Sequence, residues 1–330
     1  MNLTDTLTGG FKLAGTDTYR RSCSKLLGFY GGNTQNPTPS LMRCIIPPPG
    51  YIFLQPDQAG AEALIVAMEA PKGKFRSCFD VGIKVHSYMA LQLFIKRFAT
   101  EQHVEESRYT YVDPRCLAAM PECKALLSSI KANSRAYDLG KRVIHAKNYA
   151  MGPNTFRLNC LEMSEGTINL SFQEAKTFLR AHETLFPEII QWQAAIRGEA
   201  IATRTLRNLF GYPKHFGTIW SDALERKLYA FKPQSTVGII TALAIVDMFN
   251  YITAQHLPWF VLNDKHDSFL LTVPDQPEHI DHGCHACKLF IERDLVASSG
   301  EPFKMKSGIS IGHNWSKWDA IKNPDGMKEE

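Results

Sequence analysis

Two stretches far apart in the chain decide how it folds: Tyr51-Ile52-Phe53-Leu54-Gln55-Pro56-Asp57-Gln58-Ala59-Gly60-Ala61-Glu62 and Phe260-Val261-Leu262-Asn263-Asp264-Lys265-His266-Asp267-Ser268-Phe269-Leu270-Leu271-Thr272-Val273. Each reads as an apolar strand that delivers an aspartate at or near a turn. In the second, residues 259–262 and 269–273 flank His266-Asp267 as a β-hairpin. Set side by side, the two strands would bring Asp57 and Asp267 together, a setting suited to two magnesium ions held against a triphosphate. Either aspartate alone says little, because Asp after a strand is ordinarily a helix cap or a turn residue.

Working outward, residues 1–50 are rich in turn formers: Gly9-Gly10, Gly31-Gly32-Asn33, Asn36-Pro37 and Pro47-Pro48-Pro49-Gly50. They read as an irregular, partly stranded lead-in. Helical patterns follow over 61–70, 84–98, 126–154, 173–202 (broken at Pro187), 222–251 and 277–295. The charged stretch 99–115 reads as an insertion loop, 205–216 as a hairpin around Gly211, and 304–311 as a last strand. Strands at both ends with a helical middle predict an α+β fold, a sheet interrupted by a helical insertion.

The 330 residues suffice for one large domain or two smaller ones. Apolar content of 44% is ordinary for a globular chain, and the net charge of +4 permits a nucleic-acid partner without arguing for one. No apolar run is read as long enough to span a membrane, and the first residues lack the pattern of a signal peptide. The expectation is a cytoplasmic protein without a membrane partner, its eight cysteines reduced. His282, Cys284, His285 and Cys287 have the ligand types of a zinc site, although Cys and His three apart on a helix are more often packed residues.

Two further segments carry charge. Lys141, His145 and Tyr149 lie four apart and form one stripe on a helix. A lysine, an imidazole and an aromatic on one face would hold phosphates and stack on a base; the bland alternative is a solvated basic helix. Arg226 and Gln234 are eight apart, two helical turns, and have the donors to read acceptors in the minor groove of DNA.

Together these segments resemble the A family of DNA polymerases, over nearly the whole chain and in the family's order. Residues 56–62 resemble motif A, residues 140–156 motif B on the fingers, and residues 259–273 motif C. Thr16–Ser22, Thr34–Pro37, Val85–Ser87, Leu209–Gly211 and 304–315 resemble minor family segments. The resemblance implies a palm formed by residues 1–66 and 222–330, an antiparallel sheet with helices, and inserted helical fingers over 67–221. It implies transfer of a deoxynucleoside monophosphate to a primer 3′-hydroxyl. Asp57 and Asp267 would hold two Mg2+ ions, with the Gln58 carbonyl completing one shell. Lys141 and Arg142 would neutralise the dNTP phosphates, and Tyr149 would close on the sugar beside Glu62, the deoxyribose-selecting position. Arg20, Arg226, Gln234 and His266 would touch primer–template DNA.

This chain departs from the family pattern at several points. Ser268 replaces the usual glutamate, as in phage-type single-subunit RNA polymerases, which keeps that class open. Ala150 stands where glycine is expected, and Tyr137 where an arginine is, with Arg135 nearby. A shifted register, with His145 on the phosphates, is the alternative for motif B. The family's thumb and exonuclease-like domain have no counterpart before residue 16, so the expectation is either a fragment or a thumb that belongs to another chain. The rival class is a catalytically impaired scaffold or DNA-binding subunit.

Overall fold

The computed structural model describes residues 9–12, 15–24, 32–217 and 219–330. The first eight residues, read above for a signal sequence, and Gly31 lie outside the described residues. The elements run β1 (Gly10–Lys12), β2 (Ser22–Ser24), α1 (Pro39–Cys44), β3 (Tyr51–Gln58), α2 (Ala61–Glu69), α3 (Lys74–Asp80), α4 (Val85–Leu93), α5 (Ile95–Glu101), α6 (Pro114–Ala118), α7 (Cys123–Ala132), α8 (Ser134–Asn148) and α9 (Pro153–Met163). They continue with α10 (Phe172–Leu185), α11 (Pro187–Thr203), β4 (Thr205–Arg207), β5 (Pro213–His215), α12 (Asp222–Ala254), β6 (Phe260–Lys265), β7 (Ser268–Pro274), α13 (Pro277–Ile291), β8 (Asp294–Val296), β9 (Pro302–Lys304), β10 (Ser307–Gly312) and β11 (Lys328–Glu329). They pack as two compact units, one of Met1–Glu62, Asn208–Tyr212 and Phe231–Glu330, the other of Ala63–Arg207 and Pro213–Ala230.

The first unit is organised by a five-stranded sheet in the order β11-β10-β3-β7-β6, every pair antiparallel. Alternation along β3 sends Phe53 to one face and Leu54 to the other. On the first face Phe53 and Leu270 pack with Trp315 and Met327, and Met42 and Ile45 close over them. On the second lies α13, so close that a Cβ at Gly283 would stand 2.6 Å from Leu54 Cδ1. Burying each such large apolar side chain contributes about 1.5–3 kcal/mol. The lead-in is tied to β6 by an Arg21–Asp264 ion pair and by Asn263 Nδ2 donating to the Thr34 carbonyl at 2.6 Å.

The long helix α12 contains Pro233, which removes one helical donor. Hydroxyls take up carbonyls around it: Ser235 Oγ donates to Phe231 O at 2.6 Å and Thr236 Oγ1 to Lys232 O at 2.8 Å. The sequence reading that no apolar run reaches membrane-spanning length is corrected here. An 18-residue window of α12 has a mean hydropathy of 1.7, with 39% of it buried, so the helix is long and apolar enough to cross a membrane by length and composition. Asp247, Asn250 and Tyr251 interrupt the apolar sequence there and obscure the run.

The second unit is mostly helical. The helix read over 126–154 is three helices. Asn133 ends α7 and caps α8, its Oδ1 accepting from Ala136 N–H at 3.1 Å. At the far end Ala150 N–H donates to Lys147 O at 3.2 Å and Met151 N–H to Ala146 O at 2.8 Å. This is a Schellman cap whose left-handed residue is Ala150, at φ +52°, in place of the usual glycine. The break at Pro187 is present, between α10 and α11, and α10 opens with a reciprocal Ser171–Glu174 capping box. The stretch read as a loop over 99–115 holds the end of α5, a 3-10 turn at Glu106–Arg108 and the start of α6.

Candidate active site

The sheet brings the two aspartates together. In the register of β3 against β7, Asp57 stands opposite Ser268, the residue after Asp267. Gln58 N–H donates to the Asp267 carbonyl at 3.0 Å, locking the end of β3 to the hairpin tip. The tip is tight. Asp267 N–H turns back to Lys265 O at 2.6 Å, a three-residue turn with His266 at its centre and φ +57°. A non-glycine residue in that region stores strain, and Thr241 Oγ1 holds the tip by donating to His266 O at 2.8 Å.

Asp57 is exposed, whereas Asp267 is half-buried. Burial raises the pKa of Asp267; its own backbone hydrogen bond and the Arg20 charge pull it back, while Glu62 pushes it up. Burial lowers the pKa of His266, with Arg20 acting in the same direction. His266 Nδ1 is buried without a hydrogen-bond partner among the described residues.

Arg20 and Glu62, assigned above to DNA and to the sugar, form an ion pair with each other. The side chain of Gln58 is buried and committed to α12, Nε2 donating to Thr241 Oγ1 at 2.8 Å and Val237 O at 3.2 Å. Its Oε1 is buried without a hydrogen-bond partner among the described residues. Ser268 is buried and accepts from Gln55 Nε2 at 3.1 Å. The register thus sets two aspartates at neighbouring positions of adjacent strands, and their donors are hard oxygens. Oxygen donors are the kind magnesium takes: one or two carboxylates, with the shell completed by water and substrate phosphates.

In the second unit, Lys141 and His145 are exposed on α8. Tyr149 is buried just past the helix end, its ring 5.0 Å from that of His145 and at right angles to it. The stripe therefore exists, although its last member caps the helix. Arg142 is engaged with Asp138 at 2.8 Å and with the Met163 carbonyl at 3.2 Å. Lys147, the nearby lysine off the stripe, is buried and paired with Glu183 at 2.5 Å. On α12, Arg226 of this unit is exposed, and Gln234, which belongs to the first unit, is half-buried.

The cysteine–histidine cluster of α13 does not converge. Cys284 and Cys287 are buried, burial pushing the Cys284 thiol up to about 11 and raising the Cys287 thiol as well; His285 is exposed and His282 pairs with the Tyr251 hydroxyl at 2.7 Å. No group of three or more metal-ligating side chains forms among the described residues. Sequence reasoning missed the Arg20–Glu62 pair and Thr241; Arg20 had a signal in its segment, Thr241 had none.

No protein-family model matches the chain, and no curated protein matches it. Among solved structures it is similar to the POL domain of Pol1 from M. smegmatis in complex with DNA primer-template and dNTP. The TM-score is 0.66 at 15% identity, over 93% of this chain and 47% of that one. The chain thus spans about half the length of that structure. The likeness is one of fold, and it makes this a polymerase-like fold.

Proposed function

We propose that the chain is the palm and fingers of a template-directed DNA polymerase, the sheet-bearing unit being the palm and the helical unit the fingers. The observation that carries the reading is the register that sets Asp57 beside the Asp267 tip, from strands 213 positions apart at Gln55 and Ser268. Magnesium ions bound there would activate the primer hydroxyl and hold the leaving oxygens. The chain's own part is positioning and charge. Lys141, exposed, would neutralise triphosphate charge, and His145 and Tyr149 would align the incoming nucleotide. Arg226, Gln234 and His266 would hold the primer end. Glu62, kept in place by Arg20, would deny space to a ribose 2′-hydroxyl. A separate chain gripping the duplex and a cytoplasmic setting belong to this reading.

The test is single-nucleotide incorporation on a primer–template with magnesium, with and without candidate partner chains. Asp57→Asn and Asp267→Asn should each abolish incorporation and leave DNA binding near wild type. Substantial activity in either variant removes that residue from the site. Ser268, a buried hydroxyl in place of a third carboxylate, favours a second reading, a non-catalytic DNA-binding subunit. That reading wins if wild-type protein binds primer–template and never extends it. Equal use of ribo- and deoxynucleotides by the wild type would instead favour an RNA polymerase.

A further inference from the structure

Strand β11 consists of two polar residues, Lys328 and Glu329, and its own sequence does not explain its place. The preceding segment anchors it. Met327 joins the cluster of Phe53, Leu270 and Trp315, and its N–H donates to Ser316 O at 2.7 Å. Asn314 and Asn323 exchange two side-chain hydrogen bonds of 2.8 and 3.1 Å in a buried setting. On the far side, Glu330 N–H donates to Ile309 O at 3.0 Å. Glu329 is therefore held from both directions.

The register places Glu329 opposite Ser310, and Gly308, two residues along β10, opposite Asp57. Residues two apart on a strand share a face, so Glu329 and Asp57 lie on the same face of the sheet. Gly308 leaves an open space there, and Glu329 fills it: its Oε1 lies 3.1 Å from where a Cβ of residue 308 would stand. The carboxylate leans along β10 to the level of Asp57. On the other side of Asp57, Ser268 contributes no charge, its hydroxyl held between Gln55 Nε2 and Lys265 O.

We propose that Glu329 is a positioning carboxylate beside the Asp57–Asp267 site: it ligates no ion itself, and its charge raises the site's affinity for divalent cations. The proposal rests on the metal-ion reading of the two aspartates. The same strand supplies an internal control, because Glu330 points to the opposite face, beside Cys284.

The experiment is titration of the full chain with Mn2+ alone, followed by the paramagnetic signal of free ion, without DNA or nucleotide. Asp57→Asn should lose the site. Glu329→Gln should weaken Mn2+ binding about three- to tenfold, the effect of one nearby charge in a solvated setting. Gly308→Ala should weaken it similarly, because the added Cβ displaces the carboxylate, and Glu330→Gln should bind as wild type. If Asp57→Asn loses the site while Glu329→Gln binds as wild type, this inference is overturned and the two-aspartate reading stands. Equal weakening by Glu329→Gln and Glu330→Gln overturns it too, because the effect is then net charge. If Asp57→Asn binds as wild type, the metal reading itself fails.

Discussion

Replacing Gly140 by alanine sets two effects against each other. Gly140 lies inside α8, where an exchange of glycine for alanine ordinarily stabilises by about 1 kcal/mol. Here the added Cβ would stand 2.4 Å from the His86 carbonyl oxygen and 2.9 Å from Ala90 Cβ. Both belong to α4, and ordinary contact begins near 3.4 Å. An oxygen inside a helix cannot rotate away as a side chain can, so the two helices would have to separate by roughly 1 Å along their contact. Overpacking of this kind costs about 1–3 kcal/mol. With the contact at 2.4 Å to a backbone oxygen, the cost belongs to the upper part of that range, about 2–3 kcal/mol, and the net expectation for Gly140→Ala is a loss of about 1–2 kcal/mol, a drop in melting temperature of roughly 2–6 °C. The assay is thermal unfolding by circular dichroism, with hydrogen exchange at α4 and α8 to localise the loss. Since Lys141 and His145 ride on the same helix, nucleotide affinity should fall as well. A variant as stable as wild type, or more stable, would refute the close-packing argument.

Ala150→Gly should stabilise by about 0.5–1 kcal/mol in a thermal melt, because glycine adopts the left-handed Schellman position without strain; destabilisation would show that the Ala150 side chain matters more than its φ of +52°. Lys141→Ala should weaken nucleotide use in primer extension and leave stability near wild type. Lys147→Ala should lower stability by about 1 kcal/mol, because a buried lysine stem and its pairing with the exposed Glu183 carboxylate are lost, and the reverse pattern would assign the phosphate contact to the wrong lysine. His182 is fully buried with no hydrogen-bond partner among the described residues, and burial lowers its pKa to about 3, from 6.5. Above pH 6.5 its contribution is complete; below that the unfolded chain takes up a proton that the folded chain refuses. Stability should therefore fall by up to about 1.4 kcal/mol per pH unit from 6.5 towards 3, and His86, lowered to about 4, adds in the same direction. Denaturant unfolding from pH 7 to 5 measures this, and an equally steep fall in His182→Leu would contradict it.

The aspartate-bearing strands were legible because their signals are local: unbroken apolar runs, a turn between them, and alternation that fixes which face is buried. Pro187 marked its helix break for the same reason. The stop of α8 was not legible, because Ala150 carries none of the signal that glycine would have carried. Strand β11 was missed because two polar residues show no strand pattern; Met327 and the Asn314–Asn323 exchange order it from outside. The Arg20–Glu62 pair joins positions 42 apart, and nothing in either segment names the other. Its presence ties the nucleotide-facing glutamate of the proposal to the lead-in, a coupling no single motif displays.

The pairing of β3 with β7 also has a consequence for the order of events during synthesis. Gln55 and Ser268 touch across 213 positions. At about 5–20 residues per second, a ribosome needs roughly 10–40 seconds after making β3 before its partner strand exists. During that interval β3, with its apolar first half Tyr51–Leu54, has neither of its sheet neighbours, while the helical stretch behind it can already form short-range contacts. The pair of carboxylates is thus among the last features the nascent chain assembles. An arrest or a cleavage anywhere in the intervening segment leaves half of the pair on an orphaned, adhesive strand.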